Sequence, residues 1–260
     1  MEMKPISTVD FYYFSGTGNT LLVVNKIKEI FERNNIAVNL FRLEKSNPKE
    51  MDTSHTIGLG FPVAEQGTFP LVWDFIRAMP QCSGTKVFMV DTMFAFSGGV
   101  VGPVRKILKS KGYTTIGAKE ICMPNSLFPK KIDEEKNNRI VEKGLLQAER
   151  YAEDIIACKS RWSRIPLLSD FMAIFSQAEW CWNLLRKHYL LQVDTSKCSQ
   201  CGLCESLCPV GNIEMQEFPV IREYCTICMR CISFCPKKAI ARTNTTHERY
   251  RAVNVKEIRG

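Results

Sequence analysis

Eight of the twelve cysteines fall into two runs of one pattern. Cys198, Cys201, Cys204 and Cys208-Pro209 form the first; Cys225, Cys228, Cys231 and Cys235-Pro236 form the second. Both read C-x2-C-x2-C-x3-C-P. Three thiolates at successive steps of three residues wrap one iron–sulfur cube on a tight loop, and soft thiolate suits that chemistry. The fourth cysteine sits a helical turn further on and points the other way, and the proline after it removes a donor and fixes the exit angle. The spacing therefore predicts a pair of [4Fe–4S] clusters and one-electron chemistry. Zinc is the bland alternative, but zinc sites usually close two separated C-x2-C knuckles around one ion. Disulfides are disfavoured, since no secretory segment is expected ahead of the domain.

The runs are an internal repeat: residues 198–213 align with residues 225–240, and seven of sixteen positions are identical, four of them the cysteines. Ile213 and Ile240 also match and are expected to cover the clusters. This part closely resembles bacterial two-cluster ferredoxins. In them the fourth cysteine of each run ligates the other cluster. The resemblance assigns Cys198, Cys201, Cys204 and Cys235 to one cube, and Cys225, Cys228, Cys231 and Cys208 to the second.

A second candidate site lies near the N-terminus, at Ser15-Gly16-Thr17-Gly18-Asn19-Thr20. Glycines let a backbone approach an anion, while hydroxyls and helix-start N–H groups supply donors. The loop has no lysine, so it is not a Walker A site, nor is it G-x-G-x-x-G. Taken alone, it reads equally well as an ordinary Gly/Ser/Thr turn. Its pattern resembles the flavodoxin phosphate loop, [ST]-x-T-G-x-T, which binds the phosphate of FMN through neutral donors. In that fold the flavin sits at the switch point of the sheet.

The elements around this loop alternate. The pattern predicts strands over residues 9–14, 37–42, 56–61, 86–92 and 114–123, and helices over 19–33, 71–79, 100–111 and 133–159. Five βα units in this order imply an α/β fold: a flavodoxin-like, doubly wound five-stranded parallel sheet with helices on both faces. The cysteine runs add a small α+β ferredoxin-like two-cluster domain. Two further loops at strand ends are expected to flank an isoalloxazine ring. One contains Pro62 and Val63; the other contains Phe94, Ala95, Phe96, Gly98 and Gly99. Phe94 and Phe96 are candidates to stack on the ring, with ordinary core packing as the alternative. Gly98 and Gly99 are candidates to let backbone reach the flavin N5 edge.

The expected division is a flavodoxin-like FMN domain at 1–160, a helical connector at 161–192, a two-cluster domain at 193–242 and a tail at 243–260. The connector is apolar and aromatic and reads as one or two amphipathic helices packed between domains; a partner-docking or membrane-surface helix is the alternative. Cys82, Cys122, Cys158 and Cys181 lack cluster spacing and are expected to be small buried hydrophobes. His55, His188 and His247 have no ligand pattern around them.

Composition narrows the function classes. With 260 residues and 45% hydrophobic content, the chain suits one ordinary domain plus a small one. The formal net charge is +8. Two oxidised cubes contribute about −4 and a flavin phosphate about −2, which leaves the holoprotein near about +2. No face-forming Lys/Arg run supports nucleic acid. No uncharged apolar stretch is long enough for a membrane span. Oxygen-sensitive clusters without an export signal point to the cytoplasm.

The two halves together resemble the EFR-type flavodoxin–ferredoxin fusions, with Gly60-Phe61-Pro62-Val63, Gly98-Gly99, Met123-Pro124-Asn125-Ser126 and Glu248-Arg249-Tyr250-Arg251 matching that group. The resemblance implies electron transfer between FMN, two [4Fe–4S] clusters and a redox protein partner, with a homodimer possible. Two alternatives remain: an FMN-dependent reductase of a small substrate, with Glu65 and Ser97 as polar candidates, or a redox sensor or assembly subunit.

Overall fold

The computed structural model describes residues 5–95, 99–162, 177–243 and 246–259. Phe96 and Gly98, Ser97 between them, and the connector residues 163–176 lie outside the described residues.

The N-terminal part is a parallel sheet in the order β2-β1-β3-β5-β6. Its strands are β1 (Thr8–Tyr13), β2 (Ala37–Arg42), β3 (Thr56–Ala64), β5 (Lys86–Met93) and β6 (Thr114–Cys122). The short β4 (Gly67–Thr68) turns back antiparallel onto β3. Counting the parallel strands alone, the order is 2-1-3-4-5, the flavodoxin-like doubly wound arrangement with its switch point between the first and third strands. The helices are α1 (Asn19–Arg33), α2 (Pro70–Ala78), α3 (Val101–Ser110) and α4 (Glu134–Ile156).

Alternation along β5 sorts the two cores. Phe88 and Val90 join α1 and α4 on one face; Val87 and Met89 join α2 and α3 on the other. Phe88 meets Phe11 edge-on at 5.2 Å. That contact explains a glycine in the middle of β3: a Cβ on Gly58 would sit 2.8 Å from both rings.

The C-terminal part is smaller. Strands β7 (Leu191–Val193) and β10 (Ile240–Arg242) pair antiparallel, as do β8 (Ile213–Met215) and β9 (Pro219–Ile221). Its own apolar cluster holds only Met229, Ile232 and Ile240 fully inside. Part of its apolar surface joins the larger domain: Leu203, Leu207 and Phe234 pack into the core that contains α1. The tail folds back rather than extending away. Val253 and Ile258 enter the same core, the latter from a short helix, Val255–Arg259.

Two expectations are corrected. The segment after Phe61 is not a loop: β3 continues through Pro62 and Val63 to Ala64, because β4 pairs with its end. Of the four cysteines expected inside, Cys122 and Cys158 are exposed and Cys82 and Cys181 half-buried. Cys122 ends the edge strand β6, and Cys158 follows α4 with a left-handed backbone at φ 56°.

Candidate functional site

The two cysteine runs share one local geometry. Left-handed residues recur at a spacing of 27: Gln200 and Ile227 (φ 55° and 57°), Gly202 and Met229 (68° and 67°), Gly211 and Lys238 (62° and 55°). Backbone N–H groups turn inward onto sulfur in the same register. Gln200 donates to Cys198 Sγ at 3.5 Å and Ile227 to Cys225 Sγ at 3.3 Å; Asn212 donates to Cys208 Sγ at 3.1 Å and Ala239 to Cys235 Sγ at 3.3 Å. A left-handed conformation is strained for a β-carbon-bearing residue, by about 1–3 kcal/mol. The second copy carries that strain at Met229 and Lys238, where the first copy has glycine.

The cysteines gather in crossed sets. Cys198, Cys201, Cys204 and Cys235 line one cavity beside Ile240; Cys208, Cys225, Cys228 and Cys231 line another beside Ile213. Burial pushes the Cys204 thiol up to about 11 and the Cys228 thiol up to about 12. Such thiols are neutral near pH 7 unless a bound metal takes the place of the proton.

At the C-terminal ends of the parallel strands lies a cleft of about 430 Å³, within the ordinary range for a cofactor site. The loop between β1 and α1 contributes Ser15, Gly16, Thr17, Asn19 and Thr20. Helix α1 starts with no side-chain cap on Gly18, so its first N–H groups lack intrahelical acceptors. Two hydroxyls of the loop are engaged internally: Ser15 Oγ accepts from Leu21 N–H at 3.3 Å, and Thr20 Oγ1 meets Thr92 Oγ1 at 2.8 Å. The Asn19 side chain donates to Pro124 O at 2.9 Å and accepts from the Tyr250 hydroxyl at 2.7 Å. Backbone N–H groups and the Thr17 side chain are left to face an anion.

Pro62 and Val63 line the cleft from β3, and Phe94 and Ala95 from the end of β5. Phe94 is 61% exposed, so its ring forms the rim. Two expected residues do not line the cleft. The Gly99 N–H donates to Gln66 O at 2.7 Å, tying the two strand-end loops together. Gly18 is packed against Val253 of the tail. The turn between β3 and β4 places Glu65 and Gln66 at φ 46° and 64°, as a two-residue hairpin turn requires. Burial raises the Glu65 carboxyl, which lines the cleft.

The remaining wall was not anticipated from the sequence. Ile227, Cys228 and Met229 of the second cysteine run line the cleft directly beside the Ser15–Thr20 loop. The approach is close: a Cβ on Gly16 would run into the backbone oxygen of Cys228. Met123, Pro124, Asn125 and Trp182 also line it. Trp182, 1% exposed, comes from the connector helix Glu179–His188, and its ring lies 6.0 Å from that of Phe69.

Arg230 fastens this junction. Its Nε donates to Ser15 O at 2.9 Å, one Nη donates to Leu207 O at 3.3 Å, and the guanidinium stands over the Phe14 ring at 4.9 Å. It also pairs with Glu44 at 2.7 Å, both side chains being almost wholly buried. Burial alone would raise the Glu44 carboxyl, but Arg230 and Arg42 outweigh it and hold it below the usual glutamate range.

The tail completes both sites. The Ala252 N–H donates to Thr17 O at 2.8 Å, while Arg249 donates to the carbonyls of Ile232, Lys238 and Ile240 at 2.9, 2.7 and 2.8 Å. The expectation for the histidines is corrected at His55, whose Nδ1 lies 3.0 Å from Asp10 and Nε2 3.7 Å from Asp52. That group sits at the start of β3, away from the cleft.

Residues 191–214 match the family model described as a 4Fe-4S binding domain. Among curated proteins, one component of the ion-translocating oxidoreductase complex of Methanosarcina acetivorans is 44% identical over 45 residues, 16% of this chain and 17% of that protein. Pyruvate synthase subunit PorD from Methanocaldococcus jannaschii is 36% identical over 53 residues, 19% of this chain and 62% of that protein. The chain thus spans less than two thirds of each of these relatives. Flavodoxin 2 from Bacillus cereus aligns over 58% of this chain and 98% of its own, at 21% identity and a TM-score of 0.45. Megasphaera elsdenii flavodoxin aligns over 54% and 98%, at 23% identity and a TM-score of 0.40. At those scores the fold assignment rests on the strand order itself. The chain joins a flavodoxin-like domain to a ferredoxin-type 4Fe-4S domain, a combination that supports electron transfer. Among the described residues, no helix is long and apolar enough to cross a membrane.

Proposed function

We propose that the chain is a flavo-iron–sulfur electron-transfer protein of the EFR-type fusion group. FMN occupies the cleft, one [4Fe–4S] cluster is held by Cys198, Cys201, Cys204 and Cys235, and the second by Cys225, Cys228, Cys231 and Cys208. Electrons pass among these centres and on to a redox partner protein. The observation that carries this reading is the shared wall: the phosphate-type loop and the Ile227–Met229 segment pack against each other and line one cleft together.

The residues suit both cofactors. An uncapped helix start and neutral donors favour a phosphate group. Eight thiols in two crossed sets favour iron–sulfur cubes. When bound, FMN exchanges one or two electrons and each cube one. The chain's own part is positional. Arg230 holds Ser15 against the second cysteine loop, Tyr250 fixes Asn19, and Gly16 permits close approach. The division proposed with this reading is a flavin domain at 1–160, a connector at 161–192, a cluster domain at 193–242 and a tail at 243–260 whose residues contact both domains. The named relatives are components of an oxidoreductase complex and of pyruvate synthase, which supports a protein partner.

Glu65 favours a second reading. A carboxyl with a raised pKa at the cleft wall is placed to donate a proton to a small substrate reduced at a flavin.

The test is anaerobic purification with FMN, iron and sulfide counted per chain. About one FMN with about eight iron and eight sulfide is expected. Full iron with no flavin, even after added FMN, contradicts the FMN half. Steady turnover of a small substrate, abolished by Glu65→Gln, favours the reductase.

A further inference from the structure

Residues 15–19 of the cleft loop are held, one after another, by the cysteine half and the tail. The Ser15 carbonyl accepts from Arg230 Nε at 2.9 Å. Gly16 packs so close to the Cys228 backbone oxygen that a Cβ would collide with it. The Thr17 carbonyl accepts from the Ala252 N–H at 2.8 Å. Gly18, at φ 106°, lies against Val253, whose Cγ2 would stand 2.5 Å from an added Cβ. The Asn19 side chain accepts from the buried Tyr250 hydroxyl at 2.7 Å. From the sheet half, the same side chain donates to Pro124 O at 2.9 Å.

The tail itself is anchored on the cysteine half. Arg249, the residue before Tyr250, donates to the carbonyls of Ile232, Lys238 and Ile240 at 2.9, 2.7 and 2.8 Å. Those carbonyls flank Cys235, and the Ala239 N–H among them donates to Cys235 Sγ at 3.3 Å. The cysteine half has only a small apolar cluster of its own, so its shape depends on what the cysteines bind. A loop that takes an anion through backbone N–H groups needs them aimed beforehand, because ordering them during binding costs free energy. Metal at the cysteines and phosphate at the loop thus draw on one set of supports.

We propose that the two cofactor sites are energetically coupled through the tail. A filled cysteine half holds Arg249, Tyr250, Ala252 and Val253 in place as a strap, and the strap keeps the loop ready for the FMN phosphate. Iron–sulfur loading therefore sets the FMN affinity, and flavin is held tightly only by a chain equipped to pass its electrons on. Linkage makes the coupling reciprocal: bound FMN stabilises the loaded cysteine half by the same factor. The coupling rests on the reading of the cleft as an FMN site and of the cysteines as cluster sites.

The experiment compares FMN with riboflavin, which carries the same ring system and lacks the phosphate. The iron-loaded full chain, freed of flavin, is dialysed anaerobically against each, and the ratio of the two affinities reads the loop alone. Tyr250→Phe is expected to lower that ratio about fivefold, the equivalent of one hydrogen bond, with riboflavin affinity and iron content unchanged. The wild-type chain stripped of iron by chelator is expected to lose about tenfold in the ratio. Iron removal has a smaller further effect in Tyr250→Phe, because the strap it acts through is already loosened. Val253→Ala, which withdraws a side chain from Gly18, carries the same expectation and decides the matter if Tyr250→Phe does not retain iron. A ratio unchanged by iron removal, or unchanged in the iron-loaded variants, overturns the proposal; equal losses of FMN and riboflavin leave the ratio unchanged and count the same way. A wild-type chain that binds neither flavin, or that holds no iron, overturns the cofactor reading beneath it instead.

Discussion

The two halves of this molecule hold themselves together by different means. The sheet half has two packed faces and rings buried edge-to-edge; Phe88 alone meets Phe11 at 5.2 Å and Phe31 at 5.6 Å. The cysteine half has a small apolar cluster of its own around Met229, Ile232 and Ile240 and leans on the larger core through Leu203, Leu207 and Phe234. A segment of about 50 residues is short of apolar surface for independent stability, and metals commonly make up the difference. The sheet half thus provides a rigid floor for a cleft, while the cysteine half is shaped by what it binds and by the clamps at Arg230 and Arg249.

The largest effect that tests this contrast is loss of metal. Stripping iron under chelator is expected to unprotect the amides of 193–242 in hydrogen exchange while β1, β3 and β5 stay protected. Equal loss in both halves would erase the comparison. Next, Phe88→Ala empties a site between the Phe11 and Phe31 rings and is expected to cost about 3–5 kcal/mol in denaturant unfolding of the sheet half. Glu44→Ala leaves Arg230 buried without its partner, at a cost of about 3–5 kcal/mol, and is expected to loosen the junction before the sheet, read as protease cleavage within 193–242.

Acid acts on the same pair. The Glu44 pKa is lowered in the folded chain, so its contribution is complete above the ordinary glutamate range. It is lost as pH falls through the lowered folded-state value. The junction is expected to open on the acid side and to show no such transition in Glu44→Gln. The smallest effect is Tyr250→Phe, which removes one buried hydrogen bond to Asn19 and is expected to cost about 1 kcal/mol, with weaker FMN retention.

Much of this was legible in sequence because the signals are local. Helix α1 and strand β2 fall on the residues the pattern predicts, and the cysteine spacing names its own chemistry. What escaped was set by tertiary contacts. Pro62 is expected in a loop after the third strand, yet β3 runs through it because β4 pairs beyond it at Val63 and Ala64. Arg230 looks like any surface charge between two cysteines; only the fold brings Glu44 and Ser15 to it. The tail shows no periodicity because successive residues face different neighbours: Arg249 the second cysteine run, Tyr250 helix α1, Ala252 the Thr17 carbonyl. The Met123–Ser126 and Glu248–Arg251 phrases carried a signal, since both border the cleft or its supports, but nothing in one sequence assigned them a role.

The central claim is that flavin and clusters exchange electrons within one chain across the wall at Gly16 and Cys228. The direct measurement is a flash photoreduction of the flavin in the anaerobic holoprotein, with cluster bleaching followed at several protein concentrations. A first-order rate constant unchanged by dilution is the predicted result, and one that falls in proportion to concentration would contradict the account.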